Sequence, residues 1–223
     1  MTICRVKNPE EGIEFAYHFL MNLLEKTDSF KLCISGGTTP EPLYAKLNDY
    51  CNHNQVIAEK IKICWVDERN VPYESSRSNY GNAKRVFPYL CNLAHAPIPT
   101  GSQSEVLPNQ YREALQQIGF IENNEFESDL VILGMGADGH TASIFPNTEL
   151  KFFNQHVAIS SSENIPEERI TLLPSAINRN TEKLALIFGK DKRKTLKECM
   201  SGNPHFPFTA VIQNTIIITD QDV

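Results

Sequence analysis

DLVILGMGADGHTASIFP, residues 129–146, holds the reading on which the fold turns. From Leu130 to Leu133 the residues are apolar at successive positions rather than at alternate ones. That pattern belongs to a strand buried on both faces, as in a parallel sheet covered by helices on both sides. The run then breaks into Gly134, Gly136 and Gly139, and between and after these glycines come Asp138 and His140. An apolar strand therefore delivers an acid and an imidazole at its carboxyl end.

Similar short runs recur along the chain: KLCIS (31–35), IKICWV (61–66), HVAIS (156–160), LALIF (184–188) and TIIIT (215–219). Between them lie segments with helical spacing, at 10–26, roughly 40–50, 78–90, 105–119, 171–180 and 190–200. The first of these has Ile13, Phe15, Phe19, Leu20, Leu23 and Leu24 on a broad apolar stripe. Pro40 suits the first turn of the second, and Ser78 or Asn79 suits the cap of the third. Alternation of strand and helix predicts right-handed crossovers and an α/β fold with a doubly wound, mostly parallel sheet flanked by helices, as one domain over 1–223. Ligands of such sheets bind beyond the carboxyl ends of the strands.

Composition narrows the function. Of the 223 residues 41% are hydrophobic, and 21 Lys and Arg face 27 Asp and Glu, a net charge of −6. An acidic chain of this kind is not built for general nucleic-acid binding, so an anionic ligand needs a local basic pocket. The six cysteines, Cys4, Cys33, Cys51, Cys64, Cys91 and Cys199, show no CxxC pair and no metal-ligand spacing. They read as reduced thiols, Cys33 and Cys64 as small buried hydrophobes, and the expected compartment is the cytoplasm. No signal-peptide pattern, no apolar run near 18 residues, no lipidation motif and no repeat is visible, so no membrane contact is expected.

Three strand-end loops carry chemistry. SGGTTP, Ser35–Pro40, follows KLCIS and opens a helix, and its glycines let backbone amides converge where the helix dipole favours an anion such as phosphate. Ser35, Thr38 and Thr39 add hydroxyls, and with no GKS or GKT after it this is not a Walker loop. WVDERNVP, residues 65–72, sets Asp67, Glu68 and Arg69 at the end of another strand, where Arg69 offers a planar fork to an anion or a developing oxyanion. In the third loop His140 is a proton acceptor suited to neutral pH, and Asp138 is placed to fix its tautomer. His18, His53, His95, His156 and His205 have no such setting. His140 has no second His or Cys at ligand spacing, so no metal site is expected, and no GxSxG elbow exists for a serine nucleophile.

Taken in order, SGGTTP, WVDERNVP, SRSNYGNAKRVF (76–87), GMGADGHTASIFP, ERITLLPSAI (168–177) and GKDKRK (189–194) resemble the 6-phosphogluconolactonase family, itself similar to the glucosamine-6-phosphate deaminases. The resemblance implies that Gly36, Gly37, Thr38 and Thr39 hold a sugar phosphate, with Arg169 and Lys192 as cationic partners. It places Asp67, Arg69, Asp138 and His140 at the reactive end of the sugar. Whether Asp67 takes part in the reaction or only holds the structure stays open.

The implied reaction is hydrolysis of a phosphorylated sugar lactone, in the oxidative pentose phosphate pathway, by water activated at His140 and without any cofactor. The protein is expected to be a monomer or small homo-oligomer. Two alternatives stand beside this one. The deaminase branch carries a carboxylate five residues after the shared histidine and an aromatic residue where this chain has Arg69; here those positions are Phe145 and arginine. The other alternative is a non-catalytic sugar-phosphate sensor, but such regulators carry a helix-turn-helix, for which about 30 residues before KLCIS leave too little room.

Overall fold

The computed structural model describes residues 1–161 and 167–223. Its strands are β1 (Thr2–Arg5), β2 (Phe30–Ile34), β3 (Ile61–Trp65), β4 (Asp67–Arg69), β5 (Ala94–Ala96), β6 (Ile121–Glu122), β7 (Glu125–Phe126), β8 (Leu130–Gly134), β9 (Glu149–Phe152), β10 (Val157–Ser161), β11 (Arg169–Leu172), β12 (Glu182–Ile187) and β13 (Thr215–Thr219). Its helices are α1 (Pro9–Leu24), α2 (Glu41–His53), α3 (Gln55–Ala58), α4 (Asn79–Val86), α5 (Leu107–Gln117), α6 (Pro174–Ile177) and α7 (Arg193–Met200).

Seven strands form the predicted parallel sheet, in the order β1-β13-β12-β8-β2-β3-β5. From β2 the chain steps outward to β3 and β5, then returns past β2 to β8 and steps outward the other way. The reversal falls between β2 and β8, so the loops leaving these two strands flank the switch-point crevice. Leu130, Val131, Ile132 and Leu133 are essentially solvent-free, as the unbroken apolar run predicts. Cys33 and Cys64 are register partners with no exposed surface, and all six cysteines are unpaired. No helix is long and apolar enough to cross a membrane among the described residues.

Four expectations are corrected. HVAIS does not join the main sheet, because β10 belongs to a second, antiparallel sheet in the order β4-β11-β10-β9. The helix expected over 171–180 is mostly strand and turn. Pro174 forces Leu173 into extended backbone (φ −83°, ψ 158°) and leaves only the single turn of α6 beyond it. Asp67–Arg69 is not a loop but an edge strand, since the chain changes sheets at Val66, which donates to Ile34 O at 2.8 Å and accepts from Leu172 N at 2.8 Å. Finally, the first strand is Thr2–Arg5, so β1 and α1 fill the region before KLCIS. Along α1 the buried residues include Ile13, Ala16, Leu20 and Leu24, whereas Phe15 is turned outward at 41% exposure.

Candidate active site

The loop after β2 and the loop after β8 face each other across the switch point, and each shape is imposed by glycine. Gly37 has φ +94°, a conformation that favours glycine, and it lets the chain swing from Ser35 into the first turn of α2. At Gly36 the constraint is space, because a β-carbon there would lie 2.1 Å from Oδ1 of Asn79. In the loop after β8, Gly136 N donates to His140 O at 2.9 Å and Gly139 N to Gly136 O at 3.0 Å, so the chain doubles back tightly. A β-carbon on Gly136 would sit 2.2 Å from Nδ1 of His140.

Inside that turn Asp138 Oδ1 accepts from His140 Nδ1 at 2.6 Å and from its backbone N–H at 3.1 Å. With Nδ1 held as donor, Nε2 is the nitrogen left to accept a proton. Packing supports the turn from behind: Thr195 donates to Ala137 O at 2.6 Å, Phe208 N to Gly139 O at 3.0 Å, and the Phe206 ring lies against Gly139. The segment 196–214 had no assigned role in the sequence; part of it braces this turn.

The second sheet supplies charge. Arg69 on β4 and Arg169 on β11 are direct register partners of an antiparallel pair, so their side chains leave the same face side by side. Arg69 donates to Arg77 O at 2.5 Å. Among the described residues, Nε of both arginines is buried without a hydrogen-bond partner. Burial, and then the charge of Arg69, pulls the Arg169 guanidinium below its ordinary value. The Arg169 guanidinium lies 5.1 Å from the centre of the Phe145 ring, whose other neighbour is the His140 imidazole at 4.5 Å between centroids. Lys192 reaches the site from the turn Lys190–Lys192 that follows β12.

Glu68 is the one of the three consecutive charges that turns inward. It is 1% exposed and accepts from the backbone N–H groups of Arg69, Asn79 and Tyr80 at 2.7–2.8 Å and from Ser78 Oγ at 2.9 Å. Its carboxylate thereby closes the N-terminus of α4 alongside Ser78, which caps Gly81 N at 2.9 Å. Burial nonetheless lifts its pKa above the ordinary carboxylate value, outweighing these bonds. The capped helix holds Asn79 against Gly36 and Asp67, a contact whose only sequence signal was the SNY helix start.

These walls enclose a cleft of about 300 Å³. Gly36, Gly37, Thr38, Thr39, Asp67, Arg69, His140, Arg169 and Lys192 all line it, and Asp138 stands behind His140. Asn79, named from sequence only as a possible helix cap, also lines it, as do Met135 and Ala142. Three cations and one acid thus converge in a protein of net charge −6, the local basic pocket that an anionic ligand requires.

Residues 11–218 match the family described as glucosamine-6-phosphate isomerases/6-phosphogluconolactonase. The 6-phosphogluconolactonase of Helicobacter pylori is 31% identical over 217 residues, covering 93% of this chain and 89% of that one. That of Thermotoga maritima is 33% identical over 186 residues, covering 82% and 80%. The crystal structure of the Thermotoga maritima 6-phosphogluconolactonase superposes with a TM-score of 0.80 over 98% of both chains, at 27% identity. With nearly its whole length matched, and its glycine turns, Asp138–His140 pair and arginine pair gathered at one switch point, the chain belongs to the glucosamine-6-phosphate isomerase/6-phosphogluconolactonase family.

Proposed function

We propose that this protein hydrolyses 6-phosphoglucono-1,5-lactone to 6-phosphogluconate, the lactone-opening step of the oxidative pentose phosphate pathway, in the cytoplasm. The observation that carries the reading is the environment of His140. Its Nδ1 is tied to Asp138, and the Phe145 ring occupies the position where the deaminase branch has a carboxylate. Isomerisation of an amino sugar needs additional acid/base groups near the substrate carbons, whereas ester hydrolysis needs one base.

In this mechanism Nε2 of His140 takes a proton from water as its oxygen attacks C1, while Asp138 fixes the tautomer and stabilises the imidazolium. The tetrahedral oxyanion is met by Arg69 or by amides of the turn 134–139. The proton returns to the departing ring oxygen as the C1–O bond breaks, so no cofactor enters. Amides of Gly36 and Gly37, the hydroxyls of Thr38 and Thr39, and the cations Arg169 and Lys192 hold the 6-phosphate, and that remote binding positions the carbonyl. Asp67 belongs to the same wall. The partner is the small phosphorylated lactone, and the chain acts as a monomer or small homo-oligomer. Acid release from freshly prepared lactone, followed with and without purified protein, tests the reading; a rate no faster than spontaneous opening rejects it.

A further inference from the structure

Asp67 lies in the cleft wall, and its hydrogen bonds tie it to neighbouring side chains. It is 6% exposed; Oδ2 accepts from Ser143 Oγ, and Oδ1 and the backbone carbonyl accept from Asn79 Nδ2 at 3.4 and 2.9 Å. Ser143 has no exposed surface and commits every polar group to the second sheet. Its hydroxyl goes to Asp67 on β4, its N–H to Thr171 Oγ1 on β11 at 3.2 Å, and its carbonyl accepts from Ser160 Oγ on β10.

The residues beside Ser143 are those that shape the site. Ala142 lines the cleft at φ +51°, a left-handed conformation that costs a non-glycine residue about 1 kcal/mol or more and persists only where its neighbours hold it. Thr141 anchors the near side through Gly134 O at 2.9 Å. On the far side the Phe145 ring contacts both His140 and Arg169. Without its acceptor at Asp67, the buried Ser143 hydroxyl would lose its partner, and the segment 141–145 would be free to relax.

We propose that Asp67 is a positioning residue, acting on the reaction through Ser143 by holding the segment 141–145 that seats Ala142 and Phe145 beside His140. This rests on the lactonase reading above. It differs from a proton-transfer role for Asp67 in what the variants do, because the tether needs an acceptor oxygen and not an ionisable group.

The test measures kcat, KM and thermal melting for Asp67→Asn, Asp67→Ala, Ser143→Ala and the double variant Asp67→Ala/Ser143→Ala. Small displacements of reacting groups cost up to about a hundredfold, so Asp67→Ala and Ser143→Ala each lower kcat by roughly tenfold to a hundredfold. The double variant stays within about threefold of the worse single one, because both break one contact. Asp67→Asn keeps kcat within about tenfold of wild type, since its amide oxygen still accepts from the serine hydroxyl. If Asp67→Ala does not fold, the order of Ser143→Ala below Asp67→Asn decides. Asp67→Asn as damaging as Asp67→Ala, with Ser143→Ala within about threefold of wild type, overturns the tether. Losses that multiply in the double variant overturn it too. Wild-type protein that does not accelerate lactone opening overturns the functional reading itself and this proposal with it.

Discussion

Replacing Arg169 with methionine should weaken the binding of 6-phosphogluconate and at the same time raise the melting temperature. Arg169 faces Arg69 across an antiparallel pair, where opposed side chains start about 5 Å apart. Two like charges at roughly 6 Å in an effective dielectric of about 20 repel by about 3 kcal/mol. Asp67 offsets part of this, and burial adds to the cost of the charge. Methionine retains the apolar stem against Phe145 and gives up a cation–aromatic contact of about 0.5–1 kcal/mol. The expected gain in stability is about 1–2 kcal/mol, a rise of roughly 2–8 °C for a chain of this size. Against it stands the loss of a charge-assisted hydrogen bond to the phosphate, about 1.5–3 kcal/mol, or roughly tenfold to a hundredfold in Kd. Isothermal titration with 6-phosphogluconate and with unphosphorylated gluconate, together with a melting curve, measures all three quantities. Phosphate affinity unchanged within error would remove Arg169 from the phosphate site. A lower melting temperature would show that the arginine pair is not a strained arrangement waiting for an anion.

The remaining expectations are more direct. His140→Asn should fold normally and lose roughly a hundredfold to ten-thousandfold in kcat, the usual contribution of a general base; a loss of threefold or less would remove His140 from that role. Exhaustive chelation should leave lactonase activity intact, since no group of three His, Cys, Asp or Glu is gathered at ligand spacing among the described residues; activity lost to chelator and restored by zinc would overturn the proposed mechanism. Lys183, 2% exposed at the far end of β12, donates to Asn178 Oδ1 and Val211 O, and burial brings its pKa down from 10.5 to about 8. Between those values the unfolded chain holds more protons, so in urea titrations wild type should gain on Lys183→Met by up to about 3 kcal/mol as pH rises through that window; a pH-independent difference would contradict this.

What could be read from sequence alone follows the range of the forces involved. The main sheet was legible because β8, β12 and β13 are buried on both faces, and burial writes itself into unbroken apolar runs. Ser78 as a cap was legible because capping is local. HVAIS was misplaced because an apolar run records that a strand is buried but not which sheet buries it. The segment 171–180 was misread as helical because its apolar spacing fits either period, and only Pro174 and the pairing of β11 with β10 decide. Asn79 was read only as a possible helix cap, and Ser143 was not singled out: each is a small polar residue whose importance lies in long-range hydrogen bonding to Asp67, which no spacing rule encodes.

The second sheet explains why resemblance was needed to pick out Arg169. A parallel switch point provides backbone amides and helix ends, which suit a phosphate but offer little positive charge of their own. Long cations need to be aimed, and the carboxyl ends of parallel strands diverge into separate loops. An antiparallel pair solves this, since residues in register project together from one face. The turn at Val66 hands the chain from β3 to β4, carries Arg69 out of the main sheet and sets it opposite Arg169, which lies 100 positions further on in sequence. The same crossing places Asp67 where Ser143 and Asn79 can reach it. The charge triplet Asp67, Glu68 and Arg69 is thus divided by strand alternation and by the change of sheet. Glu68 faces inward to cap α4, while Asp67 and Arg69, two apart on one strand, face the cleft together.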